Sequence, residues 1–420
     1  MSVWRIKFAL FLVYFVFAIL LNSVGTVILQ VMSNYDLRHA DAAILEAFKD
    51  LSIAAVSFLV ASFLPRLGFR RAMMLGLAIV AIAAAAQPLV PSFLTSKLMF
   101  LATGVSFALV KVSVFATVGL ITDGQREHAS TMNVLEGMFM VGVLCGGVLF
   151  GAFVDASDAK NQDWLNVYWV LSGLSLFSLF ILAVTPIDES ASHQDKPHSA
   201  MEDFFDMLKL AMRPLAFVFI LSVFLYVLIE QGIGTWLPTF NKEVLMMPAD
   251  MSIQTGAVIF PLAIAIGRLS AGAVMARYSW YPVLNVCLVA MAALVILVLP
   301  LASGIEAQDS MTWGSAPIAA FIFPLIGLFM APIYPAINSA VLSALPKHQH
   351  AAMTGLIVIF SALGGTTGSI ITGRVFGALG GATAFYLSLV PIAAIMVTLY
   401  FFRKQTLRAA QAAETAPAHA

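Results

Sequence analysis

The chain has few charged residues and almost no cysteine. Of its 420 residues, 10% are charged, two are cysteine and 61% are hydrophobic. Soluble proteins contain about 25% charged residues, so this chain has too few charges to cover a soluble surface of its size. Two cysteines exclude a fold held together by disulfides, and the apolar content excludes a disordered chain. The remaining class is an integral membrane protein.

Motifs that carry enzymatic chemistry are also missing. The sequence contains no H-E-x-x-H, no G-x-S-x-G and no P-loop lysine motif, which metalloproteases, serine hydrolases and ATPases require. Its seven histidines all fall in predicted loops or tails, so no imidazole relay is predicted within the membrane. We predict no catalytic residue, no metal and no cofactor. The net charge of zero gives no reason to expect nucleic acid as a partner.

Apolar runs long enough to cross a lipid bilayer recur along the chain. A membrane-spanning helix needs about 20 apolar residues to cross the hydrocarbon layer. Twelve spans are predicted, at 8–31, 43–65, 72–90, 96–121, 131–153, 164–184, 213–238, 253–276, 281–302, 316–343, 352–376 and 381–402. The first run is too long for a signal peptide and no small-x-small cleavage site follows it, so we interpret it as the first membrane helix.

Basic residues are concentrated in one set of connections between the spans. They are Arg5, Lys7, Arg66, Arg70, Arg71, Arg126, Lys196, Lys209, Arg213, Arg277, Lys347, Arg403, Lys404 and Arg408. The opposite loops hold mainly acids, namely Asp36, Asp41, Asp155, Asp158, Asp163, Glu243, Asp250, Glu306 and Asp309. Loops rich in lysine and arginine remain in the cytoplasm. We therefore predict a multi-pass protein of the inner (plasma) membrane with both termini cytoplasmic.

A polar stretch divides the spans into two groups of six. We predict a first bundle at 1–184, a cytoplasmic linker with an interfacial helix at 185–212, a second bundle at 213–404 and a cytoplasmic tail at 405–420. Glycines of the fifth span recur 218 residues later in the eleventh, pairing Gly137, Gly146 and Gly147 with Gly355, Gly364 and Gly365. Basic turns also follow the second and eighth spans. This duplication is typical of transporters built from two parallel bundles.

The residues in and around these spans resemble the major facilitator superfamily over nearly the whole chain. The turn at 61–71 is similar to that family's G-x-x-x-D-R-x-G-R-R signature, although Ala61 replaces the glycine and Pro65 the acid. The segments 226–236, 266–272, 329–335 and 132–142 resemble the fucose–proton symporter branch of sugar transporters. The resemblance implies an all-α integral membrane fold of twelve transmembrane helices in two six-helix pseudo-repeated bundles. It also implies a monomer that works by alternating access.

Six residues in or near the basic turns are predicted to be gating or structural. They are Arg66, Gly68, Arg70 and Arg71 of the turn after span two, Arg268 in span eight and Arg277 after it. The missing acid at position 65 puts in doubt the cytoplasmic charge latch that the family motif usually supplies. Arg268 is expected to pair with a carboxylate or a helix C-terminus.

Acidic residues inside predicted spans are candidates for proton coupling. A charge at the bilayer centre costs about 2.5–3.5 kcal/mol on insertion scales, so such residues need a cavity or a partner. The candidates are Glu46, Asp50, Glu136 and Glu230. Glu46 and Asp50 are four residues apart and share one helix face with the adjacent Lys49 close by. The alternative is that these two acids belong to a solvated helix start.

Several residues are candidates for binding a small-molecule substrate. Lys111 lies mid-span and needs a partner from another helix, for which Glu136 is the best candidate; the pair is either structural or part of substrate recognition. The further candidates are Asn22, Asn133, Gln231, Trp236, Tyr334 and Asn338. Trp236 either stacks on a sugar ring or belongs to an interfacial aromatic belt. Asn22 either bridges helices or contacts the substrate.

These features predict a secondary transporter whose partners are a small-molecule substrate, protons and the lipid bilayer. The substrate is expected to be a sugar or, because of Lys111, a sugar acid, moved by proton-coupled symport. The alternative within transporters is export of amphipathic compounds or other organic anions by proton antiport. A membrane enzyme would need a clustered nucleophile, base or metal set, and a sensor would need a large soluble appendage; the sequence shows neither.

Overall fold

The computed structural model describes residues 3–122, 124–155, 157–158, 160–189, 209–275, 277–302, 304–305, 311–344 and 350–415, and within these ranges it is helical with no β-strand. We number the long helices α1 to α12. The first six are α1 (Val3–Asn22 and Val24–Tyr35), α2 (Ile44–Leu67), α3 (Phe69–Leu89), α4 (Phe93–Ile121), α5 (Gly124–Phe153) and α6 (Val167–Ala183). A short helix, His39–Ala42, precedes α2, and a 3₁₀ turn, Asp163–Asn166, leads into α6.

The second six helices are more often interrupted than the first. They are α7 (Pro214–Gly234 and Leu237–Glu243), α8 (Ala249–Gln254, the π-helical Thr255–Ile259 and Phe260–Met275), α9 (Trp280–Leu301), α10 (Ala319–Ile322, the 3₁₀ turn Phe323–Leu325, Ile326–Met330 and Ile333–Ala344), α11 (His350–Leu379) and α12 (Gly381–Tyr386 and Leu389–Thr415). The predicted spans fall on these helices one for one. The linker residues 190–208 lie outside the described part.

Ten of the twelve helices are long and apolar enough to cross a membrane. The exceptions among the described helices are α2, which carries three charged residues near its start, and α5, whose apolar part is limited to Gly137–Phe153. Both are nevertheless of spanning length, with 24 and 30 residues. The twelve-helix, all-α membrane fold predicted from the sequence is confirmed, and the protein is a multi-pass membrane protein.

Local sequence explains where several helices begin and end. Gly68, with φ of 86°, separates α2 from α3, and Gly380, with φ of 85°, separates α11 from α12. Positive φ is accessible to glycine without steric cost, so sharp turns occur there. The Ser92 side chain accepts a hydrogen bond from the Thr95 amide at 3.1 Å and caps the start of α4. Pro214 occupies the first turn of α7, where its missing N–H costs nothing.

In each half, the first of the two adjacent repeated glycines packs within its own half and the second packs against the opposite half. Gly146 packs against Ile19 of α1, and its counterpart Gly364 packs against the Phe224 backbone of α7. These glycines let α5 and α11 approach the first helix of their own half closely. The next residues face the opposite half: Gly147 lies against Ala257 of α8, and Gly365 lies against Asp50 of α2.

The two halves are in close contact at one end of the bundle, the end that carries the α1–α2, α5–α6 and α7–α8 connections. We call it the sealed end. A Cβ added to Gly25 of α1 would lie 2.5 Å from the Thr235 carbonyl oxygen of α7, and one added to Gly147 would lie 2.6 Å from that of Ala257. His39 Nε2 also lies 2.9 Å from Glu243 Oε2, so an ion pair joins the halves there when the histidine is protonated.

Candidate functional site

A cavity of about 390 Å³ lies between the two halves. Its wall is formed by helices α1, α2, α4 and α5 of the first half and by α7 and α8 of the second. The polar residues of the wall are Asn22, Thr26, Lys49, Lys111, Glu230, Gln231, Thr235 and Arg268, and aromatic rings come from Tyr14, Phe107, Phe139 and Phe260. The cavity therefore combines charges of both signs, amides and hydroxyls with apolar ring faces.

Three helices are interrupted where they line this cavity. α1 breaks at Ser23, whose hydroxyl donates to the Leu20 carbonyl at 2.9 Å. α7 breaks after Gly234, and α8 becomes π-helical at Thr255–Ile259. Irregular backbone is tolerated at membrane depth where it lines a protein-enclosed or watery space. The loosening of α7 near Gly234 was predicted from the sequence, whereas the breaks in α1 and α8 were not.

The charges of α2 are buried at the edge of the cavity. Glu46, Lys49 and Asp50 are 0%, 4% and 8% exposed, so the alternative of a solvated helix start is wrong. Lys49 donates a short hydrogen bond to Glu46 Oε1, and its Nζ lies 3.5 Å from Asp50 Oδ1. Thr235 Oγ1 of α7 donates to Glu46 Oε2 at 2.9 Å. The second half thus covers the start of α2.

Glu230 and Arg268 lie on the cavity wall within the second half. Tyr226 donates a hydrogen bond to Glu230 Oε1 at 3.0 Å, which fixes the carboxylate from one turn before it in α7. The Tyr226 ring lies 5.6 Å from the ring of Tyr334 in α10. Arg268 of α8 is exposed and lines the cavity, and the gating or structural role predicted for it stays a prediction.

Lys111 of α4 also faces the cavity. Its Nζ lies 5.7 Å from the centre of the Phe107 ring, one turn earlier. The side chains of Glu136 and Asn133 lie outside the described part of the structure, and only their positions on α5 are given. The predicted pairing of Lys111 with Glu136 therefore stays a prediction.

Trp236 does not line the cavity, which corrects one of the sequence predictions for this conformation. Its indole is fully buried, and its Nε1–H donates to the Ser369 carbonyl of α11 at 3.0 Å. The rings of His39 and Phe376 each lie 5.8 Å away. In this conformation Trp236 packs α7 against α11 beneath the sealed end, away from the cavity and from any exposed aromatic belt.

The other predicted binding residues are divided between the wall and the packing behind it. Asn22 and Gln231 line the cavity. Tyr334 and Asn338 of α10 do not belong to its wall; Tyr334 lies behind Tyr226, and Asn338 Oδ1 is buried without a hydrogen-bond partner in the described part. Sequence reasoning missed Thr235, although its spacing of four residues from Gln231 marks a polar face of α7.

The basic turn between α2 and α3 is held by a carboxylate from elsewhere. The amides of Phe69 and Arg70 donate to the two carboxylate oxygens of Glu189 at 2.9 and 2.7 Å. The Arg70 guanidinium in turn donates to the carbonyls of Leu182 and Ala183 at the end of α6. This turn has Pro65 where the family motif has an acid, and Glu189 supplies an acid beside it from another part of the chain. The Arg66 side chain lies outside the described part, and Arg71 and Arg277 are exposed.

The fold and the cavity between two six-helix halves are those of a membrane transporter. The family model of the Major Facilitator Superfamily matches residues 10–369. The chain therefore belongs to the Major Facilitator Superfamily. A curated relative, the MFS transporter asaE of Aspergillus flavus, is 27% identical over 241 residues, which are 56% of this chain and 49% of the relative. The match thus spans about half the length of that relative.

Solved structures of this superfamily share the fold at low sequence identity. A bacterial homolog of the human lysosomal transporter Spinster, in an inward-facing and occupied conformation, has a TM-score of 0.71 at 13% identity, covering 97% of this chain and 96% of its own. The D-xylose–proton symporter gives 0.70 at 12% identity, with 96% and 98% covered. The transporter FucP in the outward conformation gives 0.62 at 16% identity, with 96% and 99% covered.

Proposed function

We propose that the protein moves a small polar solute, a sugar or a sugar acid, across the inner membrane by proton-coupled symport. The observation that carries this proposal is the cavity between the halves, where amide and hydroxyl groups lie beside aromatic rings and charged side chains. Hydrogen-bonding groups suit the hydroxyls of a sugar, and ring faces suit its apolar side. One of the similar structures is a D-xylose–proton symporter, which supports the same class.

The cationic groups of the wall favour a solute with a carboxylate. Lys111 and Arg268 reach the cavity from opposite halves of the molecule. A carboxylate between them would form charge-assisted hydrogen bonds, which are stronger than those of neutral groups. Asn22 and Gln231 would then bind hydroxyls of the same solute. Recognition by both halves would link solute binding to their relative position.

The sealed end is assigned to the outer face of the membrane. The excess of basic residues lies at the opposite end, together with both termini, and such residues remain in the cytoplasm. In this conformation the halves meet at the outer face, so the cavity is assigned to the inward-facing state. Bundles at 1–184 and 213–404 would rock about the cavity and open the sealed end to load solute.

The proton is carried by a carboxylate of the membrane helices. Glu46, Asp50, Glu136 and Glu230 are the candidates, and all four lie on helices that line the cavity. Export by antiport remains the competing transport mode, since Phe107, Phe139 and Phe260 would also accommodate an amphipathic compound. The direction of proton flow decides between the two.

Purified protein in liposomes with a trapped pH indicator tests this proposal. A panel of neutral sugars, sugar acids and amphipathic cations is added outside, and symport predicts acidification of the lumen with accepted sugars or sugar acids. Lumen alkalinisation with an amphipathic compound, or no proton movement with any sugar, would overturn it. Lys111→Met is expected to weaken the binding of sugar acids by at least about tenfold, because one charge-assisted hydrogen bond is lost. Glu136→Gln is expected to abolish uphill uptake while solute exchange continues.

A further inference from the structure

The buried charges of α2 lie on the contact between the two halves. Glu46 accepts its hydrogen bond from Thr235 of α7, and Asp50 lies so close to Gly365 of α11 that an added Cβ there would be 2.5 Å from Asp50 Oδ2. Lys49 contacts both carboxylates. A charged cluster of the first half is therefore enclosed by two helices of the second half. Opening of the sealed end would remove Thr235 and Gly365 from it.

The charges of this cluster do not cancel. Two carboxylates share one ammonium group, so the cluster carries one net negative charge when Glu46 and Asp50 are both ionised. All three residues are more than nine-tenths buried. An uncompensated buried charge is costly, whereas a neutral cluster with satisfied hydrogen bonds is tolerated. Addition of one proton makes the cluster neutral.

The helices packed around the cluster bring no second positive charge to it among the described residues. α1 contributes the Leu21 carbonyl, 3.5 Å from Lys49 Nζ, and α4 contacts the Lys49 backbone through Gly104. α7 contributes the uncharged Thr235 and Gln231. Glu230 of α7, which also interacts electrostatically with Lys49, and Lys111 of α4 lie on the cavity wall, and Arg374 lies further along α11. The remaining charged groups of these helices lie near helix ends: Arg5, Lys7, Lys97, Lys242 and Glu243.

The two carboxylates are held differently. Glu46 accepts hydrogen bonds from Lys49 and from Thr235, one on each carboxylate oxygen. Asp50 has Lys49 Nζ only at 3.5 Å and the bare backbone of Gly365 on its other side. We propose that closing the sealed end takes up one proton on Asp50, and that opening it exposes this carboxylate to water, where it ionises. The proton is then bound and released with the closing and opening of the sealed end, which acts as the gate, and not with the solute.

This inference rests on the proposed function only for the coupling of the gate to transport, and it is tested without any solute. In a Cys145→Ser, Cys287→Ser background, spin labels at Asp158→Cys and Leu379→Cys report the distance between the halves at the sealed end. Both positions are exposed. Measured from about pH 5 to about pH 9, the ratio of closed to open protein is expected to fall as the pH rises, by at most about tenfold per pH unit while only the closed form holds the proton, and to level off once neither form holds it.

In Asp50→Asn, compared in a His39→Gln background so that the His39–Glu243 contact is absent, the sealed end is expected to stay closed, with the ratio changing by less than about twofold over the same range. An unchanged wild-type slope in Asp50→Asn, or no slope in the wild type, would overturn the proposal. His39→Gln is the matched control, because it removes the other titratable contact between the halves at this end. It is expected to shift the ratio and to remove only the part of the pH dependence that comes from the His39–Glu243 contact; loss of the whole slope in His39→Gln alone would identify the histidine as the sensor instead.

Gly365→Ala provides a second variant if Asp50→Asn does not fold. Its methyl group would crowd the Asp50 carboxyl from the other half only in the closed form. Closure is then expected to require a lower pH than in the wild type, and an unchanged midpoint would contradict the proposed enclosure. The outcomes also separate this inference from the proposed function. A wild-type gate whose closed-to-open ratio does not depend on pH, together with intact sugar-driven proton flux, defeats the inference alone, whereas a normal pH-dependent gate without sugar-driven flux defeats the function alone.

Discussion

Gly147→Ala is predicted to open the sealed end without disturbing either half. The added Cβ would lie 2.6 Å from the carbonyl oxygen of Ala257 and 2.8 Å from its carbonyl carbon and Cβ. Non-bonded atoms do not approach so closely, so α5 and α8 must move apart. Because these helices belong to different halves, the strain exists only while the end is closed. The open form relieves it.

The magnitude follows from the cost of overpacking. An extra carbon in a well-packed contact costs about 1–3 kcal/mol, since backbone atoms must shift to admit it. A difference of that size between two conformations changes their ratio by about 5- to 150-fold. Replacing glycine by alanine also favours the helix itself by up to about 1 kcal/mol in both conformations. That second effect does not change the ratio.

The assay is the distance between spin labels at positions 158 and 379, at one pH, with thermal unfolding measured in detergent. Gly147→Ala is expected to raise the open population without a large loss of thermal stability. Gly173→Ala on α6 is the matched control, because nothing lies within 4 Å of its added Cβ. If Gly147→Ala left the distances like those of the control, or lowered the melting temperature at unchanged distances, the assignment of this contact to a moving interface would fail.

Two further predictions concern contacts within one half. Glu189→Gln removes the charge from the cap on Phe69 and Arg70 and is expected to lower the free energy of unfolding by about 1 kcal/mol, measured by thermal unfolding, while Glu189→Asp loses less. Trp236→Phe removes the hydrogen bond to Ser369 and is expected to lower the free energy of unfolding by about 1–2 kcal/mol. It is expected to leave the affinity for every transported solute within about twofold. A tenfold loss of affinity would show that the indole contributes to solute binding.

The architecture was predictable because the bilayer dictates long apolar helices, and each apolar run became one helix. The breaks inside them were harder to predict. Glycines near position 234 indicated the break in α7, but the break at Ser23 and the π-helical turn at Thr255–Ile259 lie inside stretches that were each predicted as one span. Gly256 of the π-helical turn packs closely against Pro238 of the preceding helix. Hydrophobic patterning carries no information about such contacts.

The site was predictable to the level of helices and not of contacts. An intramembrane charge is expensive, so Glu230 and Lys111 could be placed at a cavity from their positions alone. The depth of Trp236 and the burial of Glu46 depend on how the second half covers the first. The sequence of one half does not determine how the other half packs on it. The matched spacing of Gly147 and Gly365 indicated the duplication, but only the structure shows that both glycines face the opposite half.

The carboxylate of Glu189 has a consequence for where the protein can be divided. Since it caps the start of α3, the chain just after α6 is fastened to the first bundle, five residues beyond the boundary expected at position 184. A protein made as two separate polypeptides would keep this fastening if it were cut after residue 189. A cut before Glu189 would leave the first fragment with bare helical amides at the turn and transfer their acid to the other fragment.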